Sequence, residues 1–215
     1  MFEHSGQPVD IYCERLSAAF WAEPVNALTN LAFILAAVFA YRLWRNTGPN
    51  GIGIKILILL AAIVGIGSFI FHTIATQGAM LFDIIPIIIF IHYALFLILK
   101  FVFNHKWWSA LIGVVGFLIF NTVFLNLFDR TLFNGSIQYV PTLLLLLTVA
   151  AFSRKQEFLI AAFAFLIAIT CRSIDSAICP DFPLGTHFLW HVLNGVTMYY
   201  AMKGIILSSA PRSVS

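Results

Sequence analysis

Residues 54–73, IKILILLAAIVGIGSFIFHT, form a run that is long and apolar enough to cross a lipid bilayer as a single helix. A helix needs about 20 consecutive apolar residues to span the hydrocarbon core. This run ends in two polar side chains, Ser68 and His72, which are four residues apart. Ionisable groups at membrane depth are costly and are mostly functional, so the stretch predicts both a spanning helix and a site at its end.

The rest of the chain shares this character. Of its 215 residues, 61% are apolar and only 10% are charged, whereas soluble domains carry about 25% charged residues. Seven apolar runs can be read, at 25–45, 53–75, 80–102, 107–128, 136–153, 157–172 and 186–207. We predict an all-α membrane protein, a single seven-transmembrane helix bundle over residues 1–215. An acidic extracytoplasmic segment (1–23) precedes the bundle (24–207), and a short cytoplasmic tail (208–215) follows it.

The distribution of basic residues predicts the orientation of the bundle. The connections on one side hold nine lysines and arginines, and those on the other side hold three, Arg15, Arg130 and Arg172. Cytoplasmic loops are enriched in such residues, so we expect the amino terminus outside and the carboxyl terminus in the cytoplasm. Because the basic residues are dispersed over thin loops, we expect no nucleic-acid partner, and we predict no protein partner. The ending APRSVS, without a retention signal, favours a bacterial inner membrane.

This orientation brings polar side chains from three helices to one depth near the outer surface. Ser68 and His72 end the second span, Asp83 lies in the first turn of the third, and His187 and His191 open the seventh. Residues four apart share a helix face, so both histidines of the seventh span can face His72. Three imidazoles suit a catalytic zinc site, which keeps a fourth position for water or substrate. We therefore predict zinc at these three histidines.

Asp83 and Ser68 would complete a hydrolytic site. Zinc lowers the pKa of its bound water to about 7 and polarises a carbonyl group. Asp83 is predicted to transfer protons, and Ser68 is predicted to hydrogen-bond the oxyanion or the water. A nucleophilic Ser68–His72–Asp83 triad is the alternative. It lacks the sharp turn that exposes a nucleophilic serine, and it leaves the other two histidines unused.

The segment DIYCERLSAAFWAEPVNALTN (10–30) adds three carboxylates on the predicted outer side, Asp10, Glu14 and Glu23. Calcium takes about six to eight oxygen ligands, so these residues are candidate calcium ligands. A solvated acidic edge is the alternative, and spacing alone favours it. Cys13 and Cys179 fall on the same side of the predicted bundle.

Taken together, these stretches resemble the alkaline ceramidases. SFIFH with the following Asp83, and HFLWH (187–191), are similar to the metal motif of the wider CREST superfamily of seven-helix membrane hydrolases. YCER and FWAEPVNALTN (within 12–30) resemble the ceramidase amino terminus, and RSIDSAIC (172–179) resembles the stretch before its last helix. The resemblance covers nearly the whole chain.

The resemblance implies a zinc-dependent intramembrane amidohydrolase. Its substrate would be a ceramide-like membrane lipid, cleaved at the amide to a fatty acid and a sphingoid base. His72, His187 and His191 would hold the zinc, Asp83 would move protons and Ser68 would assist at the metal. Two alternatives are a zinc-dependent lipid esterase or phospholipase of the same superfamily, and a non-catalytic lipid receptor or transporter. The presence of Asp83 and Ser68 beyond the metal ligands favours an enzyme.

The resemblance also implies two features of the amino-terminal segment. One is a calcium site at Asp10, Glu14 and Glu23, and the other is a disulfide between Cys13 and Cys179. The chain departs from the animal enzymes in a shorter interval between the two glutamates. It also has Leu16 where those enzymes offer an asparagine oxygen. A weaker, rearranged or absent calcium site is therefore the alternative.

Overall fold

The computed structural model describes residues 6–48 and 51–210 and is predominantly helical. Its eight α-helices are α1 (Pro24–Thr29), α2 (Leu31–Thr47), α3 (Ile52–Ile74), α4 (Gln77–Leu97), α5 (Trp107–Leu127), α6 (Val140–Ser153), α7 (Gln156–Ile178) and α8 (His187–Ser209). A π-helical turn (Ile98–Val102) extends α4, and a 3-10 turn (Ser136–Tyr139) leads into α6. In these ranges the extended pairing is limited to an isolated bridge between Pro8 and Thr76. The last residues of the predicted tail, 211–215, lie outside the described ranges.

Six segments of the described chain are long and apolar enough to cross a membrane. They are Pro24–Thr47, Ile52–Ile74, Gln77–Val102, Trp107–Leu127, Ser136–Ser153 and Gln156–Ile178. Their outward side chains include many leucines, isoleucines and phenylalanines, and the chain is an integral membrane protein. Helix α8 also has 23 residues, but its histidines, Asn194 and Lys203 lower its mean hydropathy. The seventh crossing and the orientation therefore remain predictions.

Several predicted boundaries need correction. Helix α7 continues to Ile178, whereas the apolar run predicted an end near residue 172. Helix α4 begins at Gln77 because the Thr76 hydroxyl accepts a hydrogen bond from the amide of Ala79 at 3.2 Å and so caps the helix. Asp83 therefore lies in the second turn of α4 and not in the first.

The amino-terminal segment lies over the turn between α3 and α4. Ala75, with a left-handed φ of 46°, ends α3, and only Thr76 separates it from α4. The amide of Val9 donates to the carbonyl of Ala75 at 2.8 Å, and the amide of Gln77 donates to the carbonyl of Gln7 at 3.0 Å. These bonds hold the segment across the ends of α3 and α4, where the predicted site residues lie.

Helix α8 is at the centre of the bundle. It contributes to two buried apolar clusters, one shared with α2, α3 and α4 and the other with α6 and α7. Helix α5 lies at the periphery, and most of its side chains are exposed. The helix that carries two of the candidate zinc ligands is thus the one most fixed by packing on all sides.

Candidate metal centre

Three histidines meet at the end of the bundle covered by the amino-terminal segment. His72 comes from the last turn of α3, and His187 and His191 come from the first two turns of α8. Each is 2% exposed or less, and one ring nitrogen from each lies within 4.8 Å of the others. Among the described residues, this is the group of three or more potential ligands close enough to hold a metal ion. The structure thus brings together the three histidines predicted from their spacing.

Hydrogen bonds orient two of the three rings. The Nδ1 atom of His72 lies 2.6 Å from a carboxylate oxygen of Glu23, so Nδ1 donates and the Nε2 lone pair is left free. The hydroxyl of Thr29 donates to the carbonyl of Val25 at 2.7 Å, so its oxygen can accept from Nδ1 of His191, which is 3.0 Å away. Metal-binding histidines characteristically make such a bond through the second ring nitrogen.

Buried ring nitrogens without partners show that the cluster suits a metal ion. Nε2 of His72 and Nδ1 of His187 are buried and have no hydrogen-bond partner. Buried polar atoms in folded proteins are nearly always paired, and neutral imidazole nitrogens are preferred zinc ligands. The donor set therefore fits the zinc ion that the sequence predicts.

Tyr12 forms one wall of the cluster. Its ring stacks on that of His187, with centroids 3.6 Å apart and planes 18° from parallel. Its hydroxyl is hydrogen-bonded to the guanidinium of Arg172, which also donates to the carbonyl of Asn134 at 2.7 Å and to the hydroxyl of Ser136 at 3.0 Å. Burial raises the pKa of Tyr12, so its hydroxyl stays neutral. Tyr12 and Arg172 were not predicted as site residues, although they begin the ceramidase-like stretches YCER and RSIDSAIC.

Asp83 and Ser68 adjoin the histidines. Ser68 is buried one turn before His72, and its hydroxyl hydrogen-bonds the carboxyl group of Asp83. The Oδ1 atom of that carboxyl group is buried and has no hydrogen-bond partner. A methyl group at Gly67 would overlap the carbonyl oxygen of Phe82, so the glycine allows α3 and α4 to approach closely enough for this contact.

The three predicted calcium ligands do not converge. Both oxygens of Glu14 accept bonds from backbone amides at the start of α1, those of Val25 and Asn26, at 2.7 Å each. Glu23 is buried and binds other groups, and Asp10 is exposed. In the described chain these three carboxylates form no cluster that could share an ion. The residues present therefore do not fit the calcium site that the resemblance implies.

Glu23 is bonded on both sides of its carboxylate. One oxygen pairs with the guanidinium of Arg15, and the other contacts His72 and accepts from the side-chain amide of Asn26 at 3.1 Å. Burial alone would raise the pKa of Glu23, but the bonds to His72, Arg15 and Asn26 lower it overall. Glu23 thus stays charged and orients a candidate zinc ligand.

Asp175 is a site residue that the sequence analysis missed. It is fully buried near the end of α7, beyond the predicted limit of that helix. Its Oδ1 accepts from the amides of Thr186 and His187 at 2.6 and 2.8 Å, and its Oδ2 accepts from the amide of Cys13 at 3.2 Å. One carboxylate therefore fixes the start of α8, and with it the position of His187. The signal in the sequence was the ceramidase-like stretch RSIDSAIC (172–179), which contains this aspartate.

A disulfide closes the same region. Cys13 and Cys179 are bonded, with Cα atoms 5.2 Å apart, while Cys171 is a free thiol. Gly185, with φ of +66°, lies against Cys13 and Asp175, where a side chain would overlap both. The amino-terminal segment is thus attached covalently to the loop that leads into α8.

An apolar cavity lies on the bundle side of the histidines. Its lining comes from six helices (α2, α3, α4, α6, α7 and α8) and the two short turns, and includes Phe33, Phe90, Tyr139, Trp190, Asn194 and Met198. Trp190 immediately precedes His191, and the ring of Phe33 lies edge-on to that of His191 with centroids 6.3 Å apart. Through Trp190 and Phe33 the apolar cavity approaches the histidine cluster.

Comparison with known proteins agrees with this arrangement. The sequence model of the family described as Ceramidase matches residues 12–213, which include the three histidines, Ser68, Asp83 and the disulfide. No curated protein matches the chain. Because the family match covers nearly its entire length, the chain belongs to the ceramidase family.

Proposed function

We propose that this protein is a zinc-dependent amidohydrolase that cleaves the amide bond of ceramide-like lipids within the membrane. Membership of the ceramidase family implies a hydrolase acting on a lipid. The observation that supports a zinc-dependent amidohydrolase in particular is the histidine cluster. Its buried, unpartnered ring nitrogens lie beside a carboxylate with a free oxygen and next to an apolar cavity. The products would be a fatty acid and a sphingoid base.

Contacts within the protein hold each ligand of the proposed site. His72 is oriented by Glu23, His191 by Thr29, and His187 by the stacked ring of Tyr12. When bound there, zinc supplies Lewis acidity toward the amide carbonyl and lowers the pKa of water. Because the rings have little freedom to rotate, little reorganisation accompanies the reaction.

Asp83 is the proposed general base and general acid. Its free Oδ1 atom accepts the proton of the attacking water, and the carboxyl group then returns that proton to the leaving nitrogen of the sphingoid base. Ser68 holds the other side of the carboxyl group and so directs Oδ1 toward the substrate. The Ser68 hydroxyl has a single proton, so it would donate to the oxyanion only after leaving the Asp83 carboxylate. Asp83 and Ser68 come from adjoining helices whose spacing is set by Gly67.

The apolar cavity is the proposed binding site for one hydrocarbon chain of the lipid. Burial of a methylene group contributes about 0.8 kcal/mol, so a chain within this cavity supplies binding energy away from the reacting bond. Trp190 lines the cavity and immediately precedes His191, so the head of such a chain would lie near the metal. Polar substrates without a long chain would lack this interaction.

The orientation with the site on the extracytoplasmic side is also part of the proposal. The excess of basic residues in the opposite connections supports it, and so does a disulfide, which persists in oxidising compartments. Single cysteines at Arg130 and Lys106, on predicted opposite sides, test it. In intact bacterial cells, a membrane-impermeant maleimide should label the cysteine at 130 and spare the one at 106. The reverse pattern would refute the orientation.

The decisive experiment combines metal analysis with a lipid panel. Purified protein should contain about one zinc per chain and should release fatty acid from a ceramide faster than from a diacylglycerol with the same acyl chain. Asp83→Asn should lower turnover by about 10²- to 10⁴-fold without loss of zinc. His72→Ala should lose both zinc and turnover.

His105→Gln is the matched control, because His105 is exposed and remote in sequence from the site. It should keep both zinc and turnover. Preferential ester cleavage would replace the amidohydrolase with a lipid esterase. Absence of hydrolysis with a full complement of zinc would favour a receptor or transporter.

A further inference from the structure

Arg15 is a buried cation in the amino-terminal segment. Its side chain is only 6% exposed, although it lies in an irregular loop before α1. The guanidinium pairs through Nε with Glu23, donates through Nη1 to the carbonyl of Ser17 at 3.1 Å, and donates through Nη2 to the carbonyl of His72 at 3.0 Å. One carboxylate and two backbone carbonyls therefore face a single positive group.

These oxygens are the type of ligand that a calcium ion takes. In this protein they are occupied by a guanidinium covalently attached to the same chain. The other carboxylate close in sequence, Glu14, is committed to two backbone amides, and Asp10 is exposed. Calcium needs about six to eight oxygens, and a divalent ion placed among these ligands would also be repelled by Arg15.

Arg15 contacts His72 by two routes. It binds the backbone carbonyl of His72 directly, and it binds the carboxylate of Glu23, whose other oxygen contacts the imidazole at 2.6 Å. The backbone carbonyl and the imidazole of His72 are thus held by one buried network. Removing the guanidinium would leave the Glu23 carboxylate without its main counter-charge and free to take another position.

We propose that Arg15 replaces the calcium ion that the family resemblance implies, and that it acts as the positioning residue for His72. The protein is therefore independent of calcium in its stability and in its metal centre. The positioning role rests on the proposed function, since it takes His72 to be a zinc ligand. The calcium independence does not.

The first test uses the wild-type protein and calcium alone. Purified full-length protein is treated with EGTA, passed into chelator-free detergent buffer, and melted with calcium chloride from zero to 5 mM, with isothermal titration calorimetry in parallel. We expect no saturable heat and no change in melting temperature. A saturable rise in melting temperature with calcium would overturn the proposal. Since neither readout involves lipid hydrolysis, failure of the enzymatic assignment would leave this result intact.

The second test measures zinc affinity by competition with a chromogenic chelator. Loss of a group that orients a metal ligand typically weakens metal binding about 10- to 100-fold, so we expect that loss for Arg15→Ala. Arg15→Lys keeps the charge but not the planar fork, and it should fall between Arg15→Ala and the wild type. Arg130→Ala, on an exposed arginine of the same predicted side, should bind zinc as the wild type does.

Two outcomes would overturn the positioning role. One is an Arg15→Ala protein that melts at a lower temperature but binds zinc with unchanged affinity, since Arg15 would then only stabilise the loop. The other is a wild-type protein that binds no zinc. If Arg15→Ala does not fold, Arg15→Lys provides the test. Unchanged zinc affinity in Arg15→Lys would likewise overturn the positioning role.

Discussion

Replacing Asp175 with alanine should strongly destabilise the protein, although Asp175 lies outside the histidine cluster. The carboxylate is fully buried and accepts from three backbone amides, those of Cys13, Thr186 and His187. Alanine would leave all three amides in a closed space without an acceptor. Two of them belong to the start of α8, so the variant also loses the cap of the helix that carries His187.

The expected size follows from these three bonds. A buried donor left without a partner costs about 1–3 kcal/mol, and the loss of a helix N-cap costs about 0.5–2 kcal/mol. Allowing for relaxation of the loop, Asp175→Ala should lower the free energy of unfolding by about 3–5 kcal/mol. Asp175→Asn keeps one oxygen for the two α8 amides but turns an NH₂ group toward Cys13, and should cost about 1–2 kcal/mol.

Denaturation in mixed detergent micelles, followed by circular dichroism, would measure these free energies. Asp181→Ala is the matched control, because Asp181 is exposed in the same connection and should change stability by no more than about 0.5 kcal/mol. An Asp175→Ala protein as stable as the Asp181→Ala protein would refute the reasoning. Zinc affinity measured on the same variants should fall for Asp175→Ala, because His187 is the first residue of α8.

Three further changes test other parts of the structure. Gly67→Ala should cost about 1–3 kcal/mol by forcing α3 and α4 apart, whereas Gly116→Ala, which meets no neighbouring atom, should melt like the wild type. Equal melting temperatures for the two alanine variants would contradict the close approach of α3 and α4 at Gly67. Replacing Cys13 and Cys179 with serine should cost about 2–4 kcal/mol, and a reducing agent should then have no further effect on melting. Glu23 has a lowered pKa, so its contribution to stability is complete above its ordinary pKa of 4.5 and is lost as the pH falls toward the lowered value. In Glu23→Gln the melting temperature should therefore fall less steeply as the pH is lowered below 4.5. The same pH dependence as in the wild type would argue against a charged Glu23.

The histidine cluster could be predicted from the sequence because its signals are local. Two histidines four residues apart on one helix must share a face, and Ser68 and His72 obey the same rule. The limits of the apolar runs predict the depth of each pair in the membrane. These constraints require no knowledge of tertiary packing, and the structure places His72, His187 and His191 together.

The groups that orient the ligands could not be read in this way, because their partners are distant in sequence. Glu23 and His72 are 49 residues apart, and Cys13 and Asp175 are 162 residues apart. Nothing in the spacing links either pair. Arg15 was counted as one charge in the topology, yet its burial is decided by how the irregular segment before α1 folds over the end of α3.

The disulfide makes much of the chain a closed ring, because Cys13 and Cys179 are separated by 166 positions. His72 and Asp83 belong to this ring, while His187 and His191 follow a few residues after its closure. A protease that cuts any single connection within the ring would open it without releasing a fragment. Both portions would stay linked on a non-reducing gel, and a nicked molecule could keep its two groups of candidate ligands in one piece.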